Sequence, residues 1–263
     1  MEAVLPSLVQ RLENVSRAVI PWSSPVPSFG DISTARIATL GLNPSNREFV
    51  DEAGTELDGK LRRFHTLKSL GISRWSDATT SHLHKIRDAC SNYFCRNPYD
   101  GWFKRLDHII SGTGASYYGE SRNACHLDLV PYATACKWTD LHREDRTSLL
   151  SDSGDSLGLL LRDAPVEALV LNGRSVIAYF EKIADIQLKR EKISGWELPR
   201  QGSEGVPGVA YTGFVKVVSG VQLARQIMVL GFNHNIQSSF GVTKRVTDAI
   251  RRWVATTVGE ALA

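Results

Sequence analysis

Three segments at the ends of apolar runs carry the side chains best suited to chemistry. The first is Gly41-Leu42-Asn43-Pro44-Ser45, where an amide that can both donate and accept, but cannot ionise, closes the apolar run 35–42 (ARIATLGL). The second is HLDLVP, which holds Asp128, an acceptor whenever it is ionised. The third, Asn233-His234-Asn235-Ile236-Gln237-Ser238-Ser239, joins an imidazole to hydroxyls of the kind found where helices start and phosphates bind. Each also has an ordinary structural use: Asn-Pro turns a chain, Asp closes a strand or pairs with a neighbour such as His126 or Lys137, and a Ser/Asn run starts a helix.

These segments become a site only if strands bring them to one edge. Residues 35–42 read as a buried strand stopped by Asn43-Pro44, and 125–130 (CHLDLV) as one stopped by Pro131. Residues 166–171 (VEALVL) end at Asn172-Gly173, and 226–232 (QIMVLGF) lead into the His234 segment. Residues 209–218 have strand character broken by Gly213, while 189–208, rich in Gly, Pro and charge, read as a surface loop. Leu57, Leu61, Phe64, Leu67 and Leu70 predict an amphipathic helix over 57–70 with Gly71 as its stop. Further helices are expected over 79–94, 99–110 and 242–262, and residues 1–20 read as a capping helix rather than a signal peptide. Strands alternating with helices predict a single α/β domain over 1–263, with a mostly parallel sheet and a helical insert over 73–122. In such a sheet, ligands bind beyond the carboxyl ends of the strands.

Composition narrows the class. A chain of 263 residues, 42% hydrophobic and 22% charged, supports a packed core and excludes disorder. Its 31 basic and 28 acidic residues leave a net charge of +3, compatible with a nucleic-acid partner but not diagnostic of one. No apolar run approaches the roughly 18 residues of a membrane span. Cys90, Cys95, Cys125 and Cys136 match no zinc spacing and suit the reduced thiols of a cytoplasmic protein. Gly112-Thr113-Gly114 lacks the third glycine of a dinucleotide loop, so no nucleotide cofactor is indicated.

The order of a strand running into Gly41-Leu42-Asn43-Pro44, an Asp128 near the end of a later strand, and a His-led loop before a closing helix resembles the uracil-DNA glycosylase superfamily. The strand at 166–171 followed by Asn172-Gly173-Arg174-Ser175 is similar to that family's strand-Gly-helix unit, and the likeness spans most of 35–253. It implies a three-layer αβα sandwich around a four-stranded, mainly parallel sheet. It also implies a monofunctional enzyme that flips a nucleotide from DNA and hydrolyses its N-glycosidic bond, with no cofactor or metal. That reaction builds positive charge on the sugar and negative charge on the departing base. By the resemblance, Asn43 holds the attacking water, Gly41, Leu42 and Pro44 shape the loop beside the base, and Asp128 reads the base. His234 donates to a carbonyl oxygen of the base, while Ser238, Ser239, Lys244 and Arg245 contact the DNA backbone. Phe49 is the expected stacking platform, since Phe64 lies on an apolar stripe, and Glu48 is an available carboxylate.

The identity of residue 128 bears on the base. The family's uracil-excising members commonly carry asparagine there, which donates to O4 and accepts from N3–H. An ionised Asp128 has no donor, opposes O4 of uracil and accepts from the N4 amine of cytosine; an unpaired buried polar group costs about 1–3 kcal/mol. A protonated Asp128 would suit uracil again. Removing ordinary cytosine would destroy a cell's own genome, so the implied substrate is a modified cytosine, such as glucosylated 5-hydroxymethylcytosine of phage DNA, in antiviral defence. The alternative is repair of uracil, hypoxanthine or another deaminated base. Two further readings are a serine hydrolase, from Gly154-Asp155-Ser156-Leu157-Gly158, and a non-catalytic DNA-binding domain. The first lacks the strand that must precede a nucleophile elbow. His82-x-His84 is a weak metal pattern, because a two-residue step on a helix splays the rings apart.

Overall fold

The apolar segments that end at the polar loops pair side by side in the computed structural model, which describes all residues except 2–3, 97–99, 121, 201–202 and 263. Helix α1 (Leu5–Arg11) precedes strand β1 (Ile37–Gly41), and α2 (Leu67–Leu70), α3 (Thr80–Ser91), α4 (Tyr93–Arg96) and α5 (Asp100–Ile110) lead to β2 (Ala124–Asp128). Then come α6 (Arg143–Arg162), β3 (Ala168–Asn172), α7 (Arg174–Ala184), β4 (Lys189–Lys192), β5 (Leu198–Arg200) and β6 (Ser203–Val206). The long strands β7 (Val209–Val218) and β8 (Val221–Phe232) precede the closing helix α8 (Lys244–Leu262).

The sheet order is β2-β1-β3-β8-β7-β4, with β5 and β6 pairing apart from it. Strands β2, β1, β3 and β8 run parallel, and every residue of β1, β2 and β3 is buried, as expected where helices cover both faces. Strands β7 and β4 extend the sheet antiparallel. The architecture is therefore α/β with a mixed sheet of six strands rather than four, and only its parallel part has the expected number. Helices α6 and α8 pack on β8, and α7 on β3 and β7.

Several expectations are corrected. Segment 189–208 contains three short strands instead of one loop. Strand β4 reads Lys-Arg-Glu-Lys with all four side chains exposed, so it shows no apolar alternation; backbone pairing to β7 makes it a strand, and its charge protects an open edge. Gly213 does not interrupt β7: it stands opposite Val229, and a Cβ there would come within 2.7 Å of Leu188 Cδ2. The helix expected over 57–70 shrinks to α2 and a 3-10 turn at Gly59–Leu61, because Asp58 and Arg62 are extended and Leu61 faces solvent. Its predicted stop is observed, with Gly71 left-handed at φ 71°. Among the described residues of 1–20 only Leu5–Arg11 forms a helix, and 79–94 divides into α3 and α4 at Asn92. Tyr99, the expected start of the third helix, lies outside the described residues.

The segment 73–122 does supply helices, α3 to α5. The Gly154–Gly158 motif sits inside α6, where Gly158 lets the helix approach the Val218 carbonyl, so no nucleophile elbow exists there. His82 Nδ1 accepts from the backbone N–H of Thr79 at the start of α3. Among the described residues no helix is long and apolar enough to cross a membrane.

Candidate active site

In the order β2-β1-β3-β8, the chain leaves β1 toward one side and reaches β3 on the other. That divergence creates the crevice in which open α/β sheets bind ligands. A cavity of about 340 Å³ occupies it, lined by the 41–46 loop, Glu48, His126, Asp128, Asn172, Asn235 and Ser238. Its aromatic walls come from Phe29, Trp102 and Phe103 of α5, and Trp138. Gly41, Leu42, Asn43, Pro44, Glu48, Asp128 and Ser238, scattered over nearly 200 residues of chain, thus share one cavity.

Register places Asp128. Gly41 and Asp128 are cross-strand partners at the ends of β1 and β2. The Asp128 carboxylate lies over the Gly41 α-carbon so closely that a Cβ there would collide with Oδ1 and sit 2.9 Å from His126 Nε2. His126, two residues earlier on the same face of β2, brings Nε2 to 3.4 Å from Asp128 Oδ1. Its other nitrogen, Nδ1, is 2.7 Å from Thr39 Oγ1, which is 2.5 Å from the Tyr117 hydroxyl. Burial holds the Tyr117 phenol well above its ordinary pKa, so it keeps its proton. Donation from Tyr117 to Thr39 and from Thr39 to Nδ1 satisfies each group and leaves the imidazole hydrogen on Nε2, beside Asp128.

Asn43 is oriented by a second set of bonds. Its Nδ2 donates to the Pro44 carbonyl at 3.0 Å and to Thr134 Oγ1 at 2.9 Å. Thr134 spends its own hydrogen on the Cys136 carbonyl at 2.7 Å, so its oxygen can only accept from Asn43. Both amide hydrogens are engaged, and Oδ1 receives no hydrogen bond from a described residue. It is the atom left to accept a hydrogen from a bound water.

Glu48 closes the 3-10 turn Asn46–Glu48 and is only 3% exposed. Each carboxylate oxygen lies 3.0 Å from the Tyr93 hydroxyl, and Oε2 is 3.4 Å from Arg63 Nη1. Burial pushes the Glu48 carboxyl up to about 7; Arg63 and Tyr93 oppose the rise, and Asp128 adds to it. Asn172, at the end of β3, accepts from the Ile236 N–H at 3.2 Å and donates to Gln237 Oε1 at 2.5 Å, clamping the 233–239 loop to the sheet.

Other predicted residues are placed elsewhere. His234 does not line the cavity: it is 2% exposed, Nε2 donates to the Trp196 carbonyl at 2.7 Å, and burial lowers its pKa, so it is a neutral anchor of the loop. Its neighbour Asn235 faces the cavity instead. Phe49 is a core residue, 1% exposed, with ring centroids 5.8 Å from Phe64 and 6.3 Å from Trp22. The lining rings come from other elements. Ser238 and Ser239 are not at a helix N-terminus, because α8 starts at Lys244 and Thr243 Oγ1 accepts from the Val246 N–H; the serine amides turn back to Asn235. Lys244 and Arg245 are exposed and outside the cavity wall.

Sequence reading missed Thr39, Thr134 and Asn172 as site residues, and it had His126 only as an ordinary pairing partner of Asp128, a pairing that is observed. Two carried a usable signal: Thr39 and His126 each stand two residues before a predicted site residue on a predicted strand, hence on the same face. No protein-family model matches this chain, and no curated protein matches it significantly.

Proposed function

We propose that this protein is a monofunctional DNA glycosylase of the uracil-DNA glycosylase type that releases a modified cytosine. One observation carries the reading. Asn43 and Asp128 line a single cavity; Asn43 Oδ1 receives no hydrogen bond from a described residue, and the Asp128 carboxylate has only a long 3.4 Å contact with His126 Nε2. One acceptor suits a water, the other an exocyclic amine. In the reaction, a nucleotide is flipped into the cavity and the C1′–N bond breaks, its electron pair leaving with the base. Water held by Asn43 bonds to C1′ and gives up its proton to solvent, leaving an abasic site. The rings of Phe29, Trp102 and Phe103 offer the apolar faces that a flipped base needs.

The surface around the mouth suits DNA. Phe240, on the same loop as Asn235 and Ser238, is 80% exposed and can enter the gap left in a base stack. Lys244 and Arg245 follow on the exposed start of α8, within reach of a backbone that runs along this loop. Glucosylated 5-hydroxymethylcytosine of phage DNA is the substrate that reconciles a cytosine reader with survival of the host genome.

A repair function has one observation in its favour. His126 Nε2, 3.4 Å from Asp128 Oδ1 and in the same wall, supplies a donor that could meet O4 of uracil while Asp128 accepts from N3–H. An abasic-site assay separates the two. Wild type and Asn43→Ala are incubated with oligonucleotides carrying uracil, hypoxanthine, cytosine, 5-hydroxymethylcytosine or its glucosylated form, followed by alkali. Cleavage confined to the modified cytosines, and lost in Asn43→Ala, supports the proposal. Cleavage at uracil or hypoxanthine makes it a repair enzyme, and no cleavage with DNA binding retained makes it a binding domain.

A further inference from the structure

The glycosylase reading uses Asp128 and leaves a second buried carboxyl group in the same wall unexplained. Glu48 and Asp128 have side chains 3% and 4% exposed, and both line the cavity. Two carboxylates confined to one poorly hydrated site repel, and the usual resolution is that one keeps its proton. The surroundings select Glu48. Its facing groups are Tyr93, Arg63 and Asp128, with His126 next to Asp128. The Arg63 contact at 3.4 Å is longer than the roughly 2.7–2.9 Å of a strong charge-assisted bond, so it offsets burial only in part.

A carboxylic acid beside a carboxylate presents one donor and one acceptor. The matching partner is an amidine edge, in which a ring nitrogen accepts next to an exocyclic amine that donates. Cytosine has this edge at N3 and N4, whereas uracil presents the reverse, a donating N3–H beside an accepting O4. We propose, resting on the glycosylase reading, that Glu48 and Asp128 form an acid–carboxylate pair that selects a cytosine-type base, Glu48 donating from its carboxyl O–H to N3 and Asp128 accepting from the N4 amine.

Recognition then requires the proton on Glu48. Burial pushes this carboxyl up to about 7, so binding of a cytosine-type base weakens as pH rises through neutrality, by about fivefold over the first pH unit above it and about tenfold per unit beyond that. Glutamine at position 48 keeps an N–H donor at every pH. A role for Glu48 as general base for the water predicts the opposite: base release that improves above neutrality and is lost in the glutamine variant.

The test is binding of oligonucleotides carrying one 2′-fluoro-2′-deoxycytidine, its 5-hydroxymethyl derivative, or 2′-fluoro-2′-deoxyuridine. The fluorine suppresses base loss, so anisotropy between pH 6 and 8.5 reads recognition alone. Expected are a wild-type preference for the cytosine probes that falls about fivefold from pH 7 to pH 8, and a Glu48→Gln preference that stays flat. Asp128→Asn should move the preference toward the uracil probe, which keeps the proposal testable if Glu48→Gln does not fold. A pH-independent wild-type preference, or an unchanged slope in Glu48→Gln, overturns the pair. Abasic-site formation on the unfluorinated DNA separates the two levels: base release without the pH slope refutes the pair alone, whereas no base release and no probe preference at any pH refutes both.

Discussion

Glu48→Gln should make the protein more stable than wild type above pH 7 and lose that advantage in acid. The ordinary carboxyl value of 4.5 applies to the unfolded chain, where Glu48 is hydrated, and the folded value is about 7. Between them, the folded protein holds a proton that the unfolded chain has released. The slope of stability with pH is therefore negative across that window, and the loss is complete once pH passes about 7. At about 1.4 kcal/mol per pH unit, the gap corresponds to roughly 3 kcal/mol. Glutamine does not ionise and escapes this cost. At pH 5 the wild-type side chain is mostly protonated in the fold, so wild type and variant should differ by only about 1 kcal/mol, the value of a hydrogen bond with Tyr93 or Arg63. Urea unfolding followed by fluorescence of the six tryptophans, at pH 5, 6, 7 and 8, measures the difference. A constant difference, or a variant that is relatively less stable at pH 8, would mean that the Arg63 ion pair outweighs burial. Glu48 would then be ionised throughout and unable to donate to a base.

Three other substitutions test the geometry. Gly41→Ala forces a Cβ against Asp128 Oδ1 and to 2.9 Å from His126 Nε2, and should cost about 1–3 kcal/mol in thermal unfolding; an unchanged melting temperature contradicts the close approach of β1 and β2. Thr134→Val removes the acceptor that orients the Asn43 amide, so base release should fall by about 10- to 100-fold while DNA affinity, measured by anisotropy, is unchanged. His234→Ala leaves the Trp196 carbonyl without its donor and should lower stability by about 1–3 kcal/mol. If it abolished base release with stability intact, His234 would return to the catalytic machinery.

The strands most visible in the sequence are those buried on both faces. Segments 35–42, 125–130 and 166–171 are predominantly apolar runs closed by proline or glycine, and β1, β2 and β3 lie within a residue or two of them. Strand β4 is invisible by the same logic, since charged side chains on an open edge carry no periodicity and pairing with β7 alone defines it. The stripe over 57–70 misleads for a related reason: Leu57 and Phe64 are buried from non-helical chain on either side of a 3-10 turn and Leu70 from the short α2, so they do not share one helical face.

The site divides along the same line. That polar segments following parallel strands would meet at one edge is a property of the α/β pattern, and Asn43, Asp128 and the 233–239 loop were predictable on that basis. Which atoms of those segments face the cavity depends on contacts between residues distant in sequence. Trp196 takes the His234 hydrogen, Thr134 turns the Asn43 amide, and Phe64 and Trp22 enclose Phe49. Glu48 shows the limit most clearly. Its residue type and nearness to Asn43 are legible in the chain, but its proton affinity depends on burial, on Tyr93 and Arg63, and on a second carboxylate brought from β2. The amino-acid sequence by itself determined the parallel strands of the sheet and their stops, because these follow from local hydrophobic pattern. Tertiary packing alone decided which side chains reach the cavity and in what protonation state, because desolvation and hydrogen-bond partnership are properties of the assembled fold.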